Sequence, residues 1–89
     1  MECTFAEAAA VAPGGAAVNF EVVFQGQSLE CSIARDVLEQ YFWAPIGGSD
    51  AQLLHAYVAG RSRIEAMVVL RLRRHPSNPV VLVDADFKR

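Results

Sequence analysis

The sequence contains few of the residues that build metal sites, and no segment suited to crossing a membrane. It has two cysteines and two histidines, and Cys3 and Cys31 lack the short spacing of metal ligands. The apolar run that ends at Leu70 is followed at once by Arg71, so no stretch approaches the roughly 18 apolar residues of a membrane-spanning helix. We therefore expect no membrane association, no metal and no cofactor.

The sequence also lacks the short motifs that mark common enzymes. Nucleophile elbows, phosphate-binding loops, dinucleotide-binding glycine patterns and zinc-ligand spacings are absent, so no catalytic residue is assigned. Met1 is followed by Glu2 rather than by the basic segment of a secretory signal, which favours the cytoplasm. There we expect Cys3 and Cys31 to be small buried side chains on strands, with a disulfide or a reactive thiol as alternatives.

Charge is unevenly distributed along the chain. The formal net charge is -2, yet residues 1–50 hold seven acids and one base, whereas residues 51–89 hold seven bases and three acids. This division indicates either a basic binding face or an acidic sheet packed beside a basic helix, and we favour the second interpretation.

The segment Val18 to Ala34 predicts a β-hairpin, because apolar and polar residues alternate along it. Gly26-Gln27 is the expected two-residue turn. The predicted pairs are Phe24 with Leu29, Val22 with Cys31, and Phe20 with Ile33. Glu21 and Glu30 then lie on the opposite, solvent-exposed face, and a one-residue slip would bury them.

Two further strands flank the hairpin in the predicted fold. Glu2 to Phe5 is a short strand, and Ala6 to Ala17 is an alanine- and glycine-rich connector expected to be mobile. Val80 to Phe87 is the last strand, and its apolar run favours a central place in the sheet. Residues 1–89 therefore form one domain, in which residues 18–87 are the compact core.

Two helices are predicted between the hairpin and the last strand. Arg35 to Phe42 is a short helix with one apolar face. Ser49 and Gln52 have the spacing of a capping box, and a long helix follows to about Arg74, which either runs unbroken or kinks at Gly60. The residues expected on its buried face are Leu53, Leu54, Tyr57, Ile64, Val68 and Leu72.

The order β-β-β-α-α-β predicts an α+β two-layer sandwich. An antiparallel sheet of about four strands would be covered on one face by the short and the long helix. A chain of 89 residues is expected to be too small for a separate substrate domain.

Three charged residues hold candidate positions for chemistry. Arg61 falls on the buried face of the long helix, so the helix bends at Gly60, or Arg61 extends along the sheet edge, or it pairs with Asp84 or Asp86. The remaining interpretation is that its guanidinium holds an anion or a carboxylate of a partner. Asp84 and Asp86 share one face of the predicted last strand, where they could bind a cation or act as an acid-base pair, or form salt bridges with arginines.

Two surfaces are candidates for binding a partner. Arg71, Arg73, Arg74 and His75 form a basic cluster that would suit phosphate, although bases also stabilise the C-terminal end of a helix and the sequence pI is about 5.5. Trp43 lies in a loop after the short helix, where a rigid aromatic residue either anchors a protein interface or caps the core.

Several segments resemble a known family. They are Val18 to Ile33 leading into Arg35 to Glu39, then Arg61 to Ala66, and Val81 to Phe87. Over Val18 to Phe87 the chain resembles a small bacterial family, the domain of unknown function number 1488. The resemblance implies a compact α+β domain with an antiparallel sheet and two helices, and it implies no catalytic residues. The alanine-rich connector and the loop Trp43 to Gly48 are departures from the family pattern.

These observations favour a small non-enzymatic domain that binds another macromolecule, either another protein or a second copy of itself. The contact surface would include Trp43 or the arginines Arg61, Arg71, Arg73 and Arg74. The first alternative is a regulator that binds nucleic acid or an anion through these arginines and Arg63, and its binding would weaken steeply with salt. The second alternative is an enzyme or metal site around Asp84 and Asp86.

Overall fold

The computed structural model describes residues 3–75 and 79–87, and the side chains of Cys3 and Glu7 lie outside this description. Four strands are present in the described part: β1 (Cys3–Val11), β2 (Ala17–Phe24), β3 (Gln27–Ala34) and β4 (Val80–Leu82). The helices are α1 (Arg35–Tyr41), α2 (Asp50–Ala59), α3 (Arg61–Arg74) and the single-turn α4 (Asp84–Phe87). A 3-10 turn at Pro13–Gly15 joins β1 to β2.

The four strands form one sheet in the order β1-β2-β3-β4, and the α+β fold is confirmed. β1, β2 and β3 are antiparallel neighbours, but β4 runs parallel to β3, so the sheet is mixed rather than wholly antiparallel. The predicted central position of the last strand is wrong, because β4 lies at an edge and ends at Leu82. Residues from Asp84 onward turn into α4, where the backbone NH of Asp86 donates to the carbonyl oxygen of Val83.

The hairpin turn is Gln25-Gly26, one residue earlier than predicted. Both residues have positive φ, 52° and 80°, as a type I′ turn requires. The observed pairs are Phe24 with Gln27, Val22 with Leu29, Phe20 with Cys31, and Val18 with Ile33. Each residue of β2 therefore pairs with a residue of β3 two positions earlier than predicted. Because side chains alternate with period two along a strand, every side chain keeps its predicted face.

The inner face of the sheet and the apolar faces of the helices form one core. The buried residues of the hairpin are Val18, Phe20, Val22, Phe24, Leu29, Cys31 and Ile33. The helices contribute Val37, Leu38, Leu53, Tyr57, Ile64, Val68 and Leu72, whereas Leu54 is only partly buried. Glu21 and Glu30 are exposed, so the predicted one-sided sheet is confirmed, as is the buried position of Cys31.

The N-terminal strand is longer than predicted. β1 continues from Phe5 to Val11 and pairs with β2 on both sides of an irregularity between Phe5 and Ala9. The expectation of an irregular connector from Ala6 is therefore wrong as far as Val11. Pairing with a neighbouring strand satisfies the backbone groups of the alanine run, and this tertiary context overrides alanine's weak preference for strands.

The predicted long helix is broken at Gly60, which lies at φ -101° and ψ 14° between α2 and α3. The ring of Phe42 fills the space beside this glycine, since a Cβ atom there would lie 2.2 Å from Phe42 Cδ1. The capping box at Ser49 is confirmed, with Gln52 N donating to Ser49 Oγ and Ser49 N donating to Gln52 Oε1. Among the described residues, no helix has the length and apolar character needed to cross a membrane.

Candidate interaction surface

Arg61 connects the start of α3 to the edge strand β1. Its Nη2 donates to the carbonyl oxygen of Ala6 at 2.6 Å, and its Nε donates to Glu65 Oε2 at 2.8 Å. The break at Gly60 and the extension toward the sheet edge were both among the predicted solutions. Pairing with Asp84 or Asp86 was the third, and it is not what the structure shows.

Asp84 and Asp86 do not share a strand face, because both belong to the short helix α4. Asp84 accepts a 2.7 Å hydrogen bond from the hydroxyl of Tyr41, and this bond raises the pKa of Tyr41. Asp86 accepts from Arg71 Nη1 at 3.0 Å and from the backbone NH of Val83 at 2.9 Å. The salt-bridge alternative is thus the observed one for Asp86, and within the described part of the chain no cluster of three metal-ligating residues occurs.

Three of the five arginines of α3 are used to hold the fold together. Arg61 binds β1, and Arg71 Nη1 also donates to the carbonyl oxygen of Val81 at 3.1 Å. Arg63 donates to the carbonyl oxygen of Tyr41 and places its guanidinium 5.1 Å from the centre of the Phe42 ring, a cation–π distance. These contacts attach α3 to both edges of the sheet and to the end of α1.

The remaining two arginines lie at the solvent-exposed end of α3. Arg73 and Arg74 are both exposed in its last turn, where positive charge stabilises the negative end of the helix dipole. Of the predicted basic cluster, Arg73, Arg74 and the exposed C-cap residue His75 therefore remain, whereas Arg71 is bonded to Asp86 and Val81. Two arginines make a much smaller phosphate-binding surface than the five counted from the sequence.

The Trp43 loop, defined as Trp43 to Gly48, presents large apolar side chains to solvent. Trp43 and Ile46 are each 89% exposed. The immediate neighbours of Trp43 are buried, since Phe42 and Ala44 both belong to the core. Trp43 therefore does not cap the core, and its role as an interface anchor stays a prediction.

Hydrogen bonds fix the backbone of this loop at several points. Ala44 N donates to the carbonyl oxygen of Leu38 at 3.1 Å, and Gly47 N donates to Glu39 Oε2 at 3.0 Å. Arg35 Nη1 donates to the carbonyl oxygen of Gly48 at 3.1 Å. Trp43 itself has a φ of 60°, a left-handed conformation that a bulky residue rarely adopts. The backbone of the loop is therefore fixed by hydrogen bonds, while the aromatic side chain of Trp43 is exposed to solvent.

Exposed charged groups of both signs lie near the loop. Asp50 lies exposed in the first turn of α2, directly after the loop, and Arg63 lies exposed against Tyr41 and Phe42, directly before it. The neighbouring base, Arg35, is directed inward by its bonds to the carbonyl oxygens of Gly15 and Gly48. The loop thus combines an apolar centre with neighbouring charges of both signs.

A second open surface is the uncovered face of the sheet. Glu21 and Glu30 are direct cross-strand partners there, and an open groove of about 450 Å³ runs between β1 and the neighbouring strands past Ala8 and Ala10. Nothing in the sequence pattern predicted this groove, because it depends on β1 continuing past Phe5. Its lining mixes small apolar side chains with the polar residues Asn19, Glu21, Glu30 and Ser32 of the solvated sheet face.

Sequence reasoning also missed one buried polar atom. The hydroxyl of Tyr57 is buried, and no described residue forms a hydrogen bond with it. Burial raises the pKa of this hydroxyl. The helical pattern correctly placed Tyr57 in the core, but the surroundings of its hydroxyl depend on how the helices rest on the sheet.

Comparison with known proteins identifies a family match. The family model described as "Protein of unknown function (DUF1488)" matches residues 3–82, which includes the alanine-rich segment that we expected to be a departure from the family. No curated protein and no solved structure gives a significant match. Because the matched range covers nearly all of the 89 residues, the chain belongs to the DUF1488 family of proteins of unknown function.

Proposed function

We propose that this domain is a non-enzymatic, cytoplasmic protein-interaction module in which the Trp43 loop is the anchor. The observation that carries the proposal is the 89% exposure of both Trp43 and Ile46 on a backbone fixed by hydrogen bonds. Tryptophan is enriched among the residues that dominate binding energy in protein interfaces. A rigid loop loses little conformational freedom on binding, so more of the contact energy is retained.

The conformation of Trp43 supports this role. A non-glycine residue in the left-handed region costs on the order of 1 kcal/mol or more, and such residues cluster at functional sites. Glycine would adopt the same φ without strain, and an exposed tryptophan contributes little to the core. The strained backbone at Trp43 thus lowers the stability of the fold, and the exposed side chain does not compensate for it. This is expected when selection acts on binding.

The two alternatives have less support. Asp84 and Asp86 are occupied by Tyr41 and Arg71, so these two carboxylates do not form a pair that could bind a cation or transfer a proton. For nucleic acid, the exposed arginines of α3 are Arg63, Arg73 and Arg74, and Arg63 already contacts Tyr41 and Phe42. Both alternatives predict binding that does not depend on Trp43.

The test compares capture by the wild-type domain with capture by Trp43→Gly. Each domain is immobilised and exposed to native extract at low and at high salt, and the affinity of each captured protein is then measured with purified components. Val58→Ala is the matched control, because Val58 is also an exposed apolar residue (60%) but lies on α2 outside the loop. We expect a protein to bind the wild type and Val58→Ala at both salt concentrations, and to be lost with Trp43→Gly.

Stability measurements exclude unfolding as the cause of such a loss. Trp43→Gly should unfold at least as late as the wild type in urea, because the substitution removes backbone strain and no buried side chain. Retained capture by Trp43→Gly contradicts the proposal. Capture of nucleic acid alone, lost at high salt and with Arg73→Glu, would favour the nucleic-acid alternative.

A further inference from the structure

Resting on the proposed function, we infer that Arg35 positions the Trp43 loop for its partner and couples the loop to the turn at Pro13–Gly15. Gly15 lies 20 residues before Arg35 in the chain, and Gly48 lies 13 residues after it. One side chain thus joins two segments that are distant in sequence. The affinity of the loop for its partner is therefore regulated from a turn that lies outside the loop.

The nitrogen atoms of the Arg35 guanidinium contact three different segments. Nε donates to the carbonyl oxygen of Gly15, and Nη1 donates to the carbonyl oxygen of Gly48 at 3.1 Å. Nη2 lies 3.9 Å from Asp50 Oδ1 in the first turn of α2. Because the guanidinium is planar and rigid, a displacement of one nitrogen atom also moves the other two.

Glu39 completes the attachment of the loop to α1. Its Oε2 accepts a hydrogen bond from the backbone NH of Gly47 at 3.0 Å and lies 3.6 Å from Arg35 Nη1. Both side chains are mostly buried, at 24% exposure for Arg35 and 16% for Glu39, which strengthens these bonds relative to bonds in water. The pair offers an acceptor to Gly47 and a donor to Gly48, so it holds adjacent peptide groups of the loop.

The Pro13–Gly15 turn is attached to Arg35 by its backbone as well. The backbone NH of Arg35 donates to the carbonyl oxygen of Ala16 at 2.9 Å. Pro13 and Gly14 are exposed, whereas Gly15 is buried against the guanidinium. A change at the buried residue of the turn therefore reaches the Trp43 loop through Arg35.

The two ends of the loop depend on Arg35 to different extents. At the first end, the backbone NH of Ala44 donates to the carbonyl oxygen of Leu38, a bond that does not involve Arg35. At the second end, Gly47 and Gly48 are held by the pair of Glu39 and Arg35. Loss of Arg35 should therefore loosen the second end and leave the first end in place.

Gly14 and Gly15 give a matched pair of variants. Their φ angles are 85° and 73°, so alanine strains the backbone at both positions. A Cβ atom at Gly15 would lie 3.1 Å from Arg35 Nη2, whereas a Cβ atom at Gly14 would have no atom within 4 Å. Gly15→Ala thus displaces the guanidinium, and Gly14→Ala only strains the turn.

The first measurement is amide hydrogen exchange of the free chain, followed by NMR. In Arg35→Ala and in Gly15→Ala the NH of Gly47 should exchange about tenfold faster or more, as expected for loss of a hydrogen bond that involves a charged group. The NH of Ala44 should keep its wild-type rate, and so should the amides paired between β2 and β3, which report global unfolding. Gly14→Ala should leave Gly47 unchanged.

Arg35→Lys tests the geometry of the contact. It keeps the positive charge beside Glu39 but lacks the rigid fork of the guanidinium, so it should restore only part of the protection of Gly47. If Arg35→Ala does not fold, the comparison of Gly15→Ala with Gly14→Ala decides the inference.

The second measurement is the affinity of these variants for the protein captured through the Trp43 loop. We expect Arg35→Ala and Gly15→Ala to bind it about tenfold more weakly although Trp43 and Ile46 are intact, because a loosened loop must be ordered on binding. Gly14→Ala should bind like the wild type.

Three results would overturn the inference: wild-type exchange of Gly47 in Gly15→Ala, equal effects of Gly14→Ala and Gly15→Ala, or a loosened loop that binds with wild-type affinity. The proposed function fails separately, through retained capture by Trp43→Gly. In that case exchange in the free chain still decides whether Arg35 couples the turn to the loop.

Discussion

Arg61 donates a 2.6 Å hydrogen bond from its Nη2 atom to the backbone carbonyl oxygen of Ala6, 55 residues earlier in the chain. Ala6 lies where the pairing of β1 with β2 is interrupted, between Phe5 and Ala9. Strand irregularities leave backbone groups without a ladder partner. The guanidinium of Arg61 supplies a hydrogen-bond donor to one such carbonyl oxygen, and its Nε donates to Glu65.

We therefore predict that Arg61→Ala lowers the free energy of unfolding by about 2 kcal/mol, the range for hydrogen bonds to charged groups. Arg61→Lys should recover part of this loss, because an ammonium group cannot reproduce both bonds of the guanidinium. Urea unfolding followed by circular dichroism measures both changes. Arg73→Ala removes an exposed arginine of the same helix and is the control, with an expected change within about 0.5 kcal/mol. Equal effects at both positions would contradict the assigned role of Arg61.

The parts of the fold that the sequence predicted are those that depend on local pattern. Alternation along Val18 to Ala34 identified the buried face of the hairpin even though the turn was misplaced, because moving the turn by one residue shifts partners by two. The capping box at Ser49 depends on residues three positions apart. Such features are encoded within a few residues of each other.

The features that were missed depend on contacts distant in sequence. β1 continues past Phe5 because β2 offers it hydrogen bonds, and a run of alanines gives little local signal for a strand. The same applies to the candidate site. The sequence marked Trp43 as either an anchor or a core cap, and its exposure follows from a backbone held by groups on α1 and by Arg35.

The buried hydroxyl of Tyr57 leads to a second prediction, which concerns the free energy of unfolding. No described residue bonds to this oxygen, so Tyr57→Phe removes a desolvated polar atom and keeps the ring, 5.2 Å from that of Phe20. We expect the free energy of unfolding to stay unchanged or to rise by up to about 1 kcal/mol. Tyr41→Phe is the matched control: it loses a real hydrogen bond to Asp84 and should be destabilising. A loss of stability in Tyr57→Phe would mean that its hydroxyl has a partner.

The pKa of the same hydroxyl leads to a prediction of how the free energy of unfolding changes at alkaline pH. Burial raises the pKa of Tyr57 above its ordinary value of 10.0. The folded state therefore holds this proton more tightly than the unfolded state, and the resulting stability is complete below the unfolded pKa. It is lost as the pH rises from about 10 through the folded pKa. Unfolding in urea at several pH values should show a shallower alkaline loss in Tyr57→Phe than in the wild type, and parallel profiles would contradict the assignment.

The last prediction concerns Gly60, where side-chain packing and helix propensity have opposite effects on stability when the glycine is replaced by alanine. Alanine favours helices by about 1 kcal/mol over glycine, so propensity alone predicts that Gly60→Ala is stabilising. A Cβ atom at this position, however, would lie 2.2 Å from Cδ1 and 2.6 Å from Cε1 of Phe42. That ring is buried and packs edge-on against Phe87 with centroids 5.5 Å apart, so it cannot move without disturbing α4.

Overpacking of this kind costs about 1–3 kcal/mol, which exceeds the gain in propensity. Gly60→Ala should therefore lower the free energy of unfolding by about 1 kcal/mol or more. Ser62→Ala is the control, because it improves helix propensity at an exposed position of α3 and should be neutral or slightly stabilising. Thermal and urea unfolding of the two variants would separate the effects. If Gly60→Ala proved as stable as the wild type, α2 and α3 could join without displacing Phe42, and the break would have another cause.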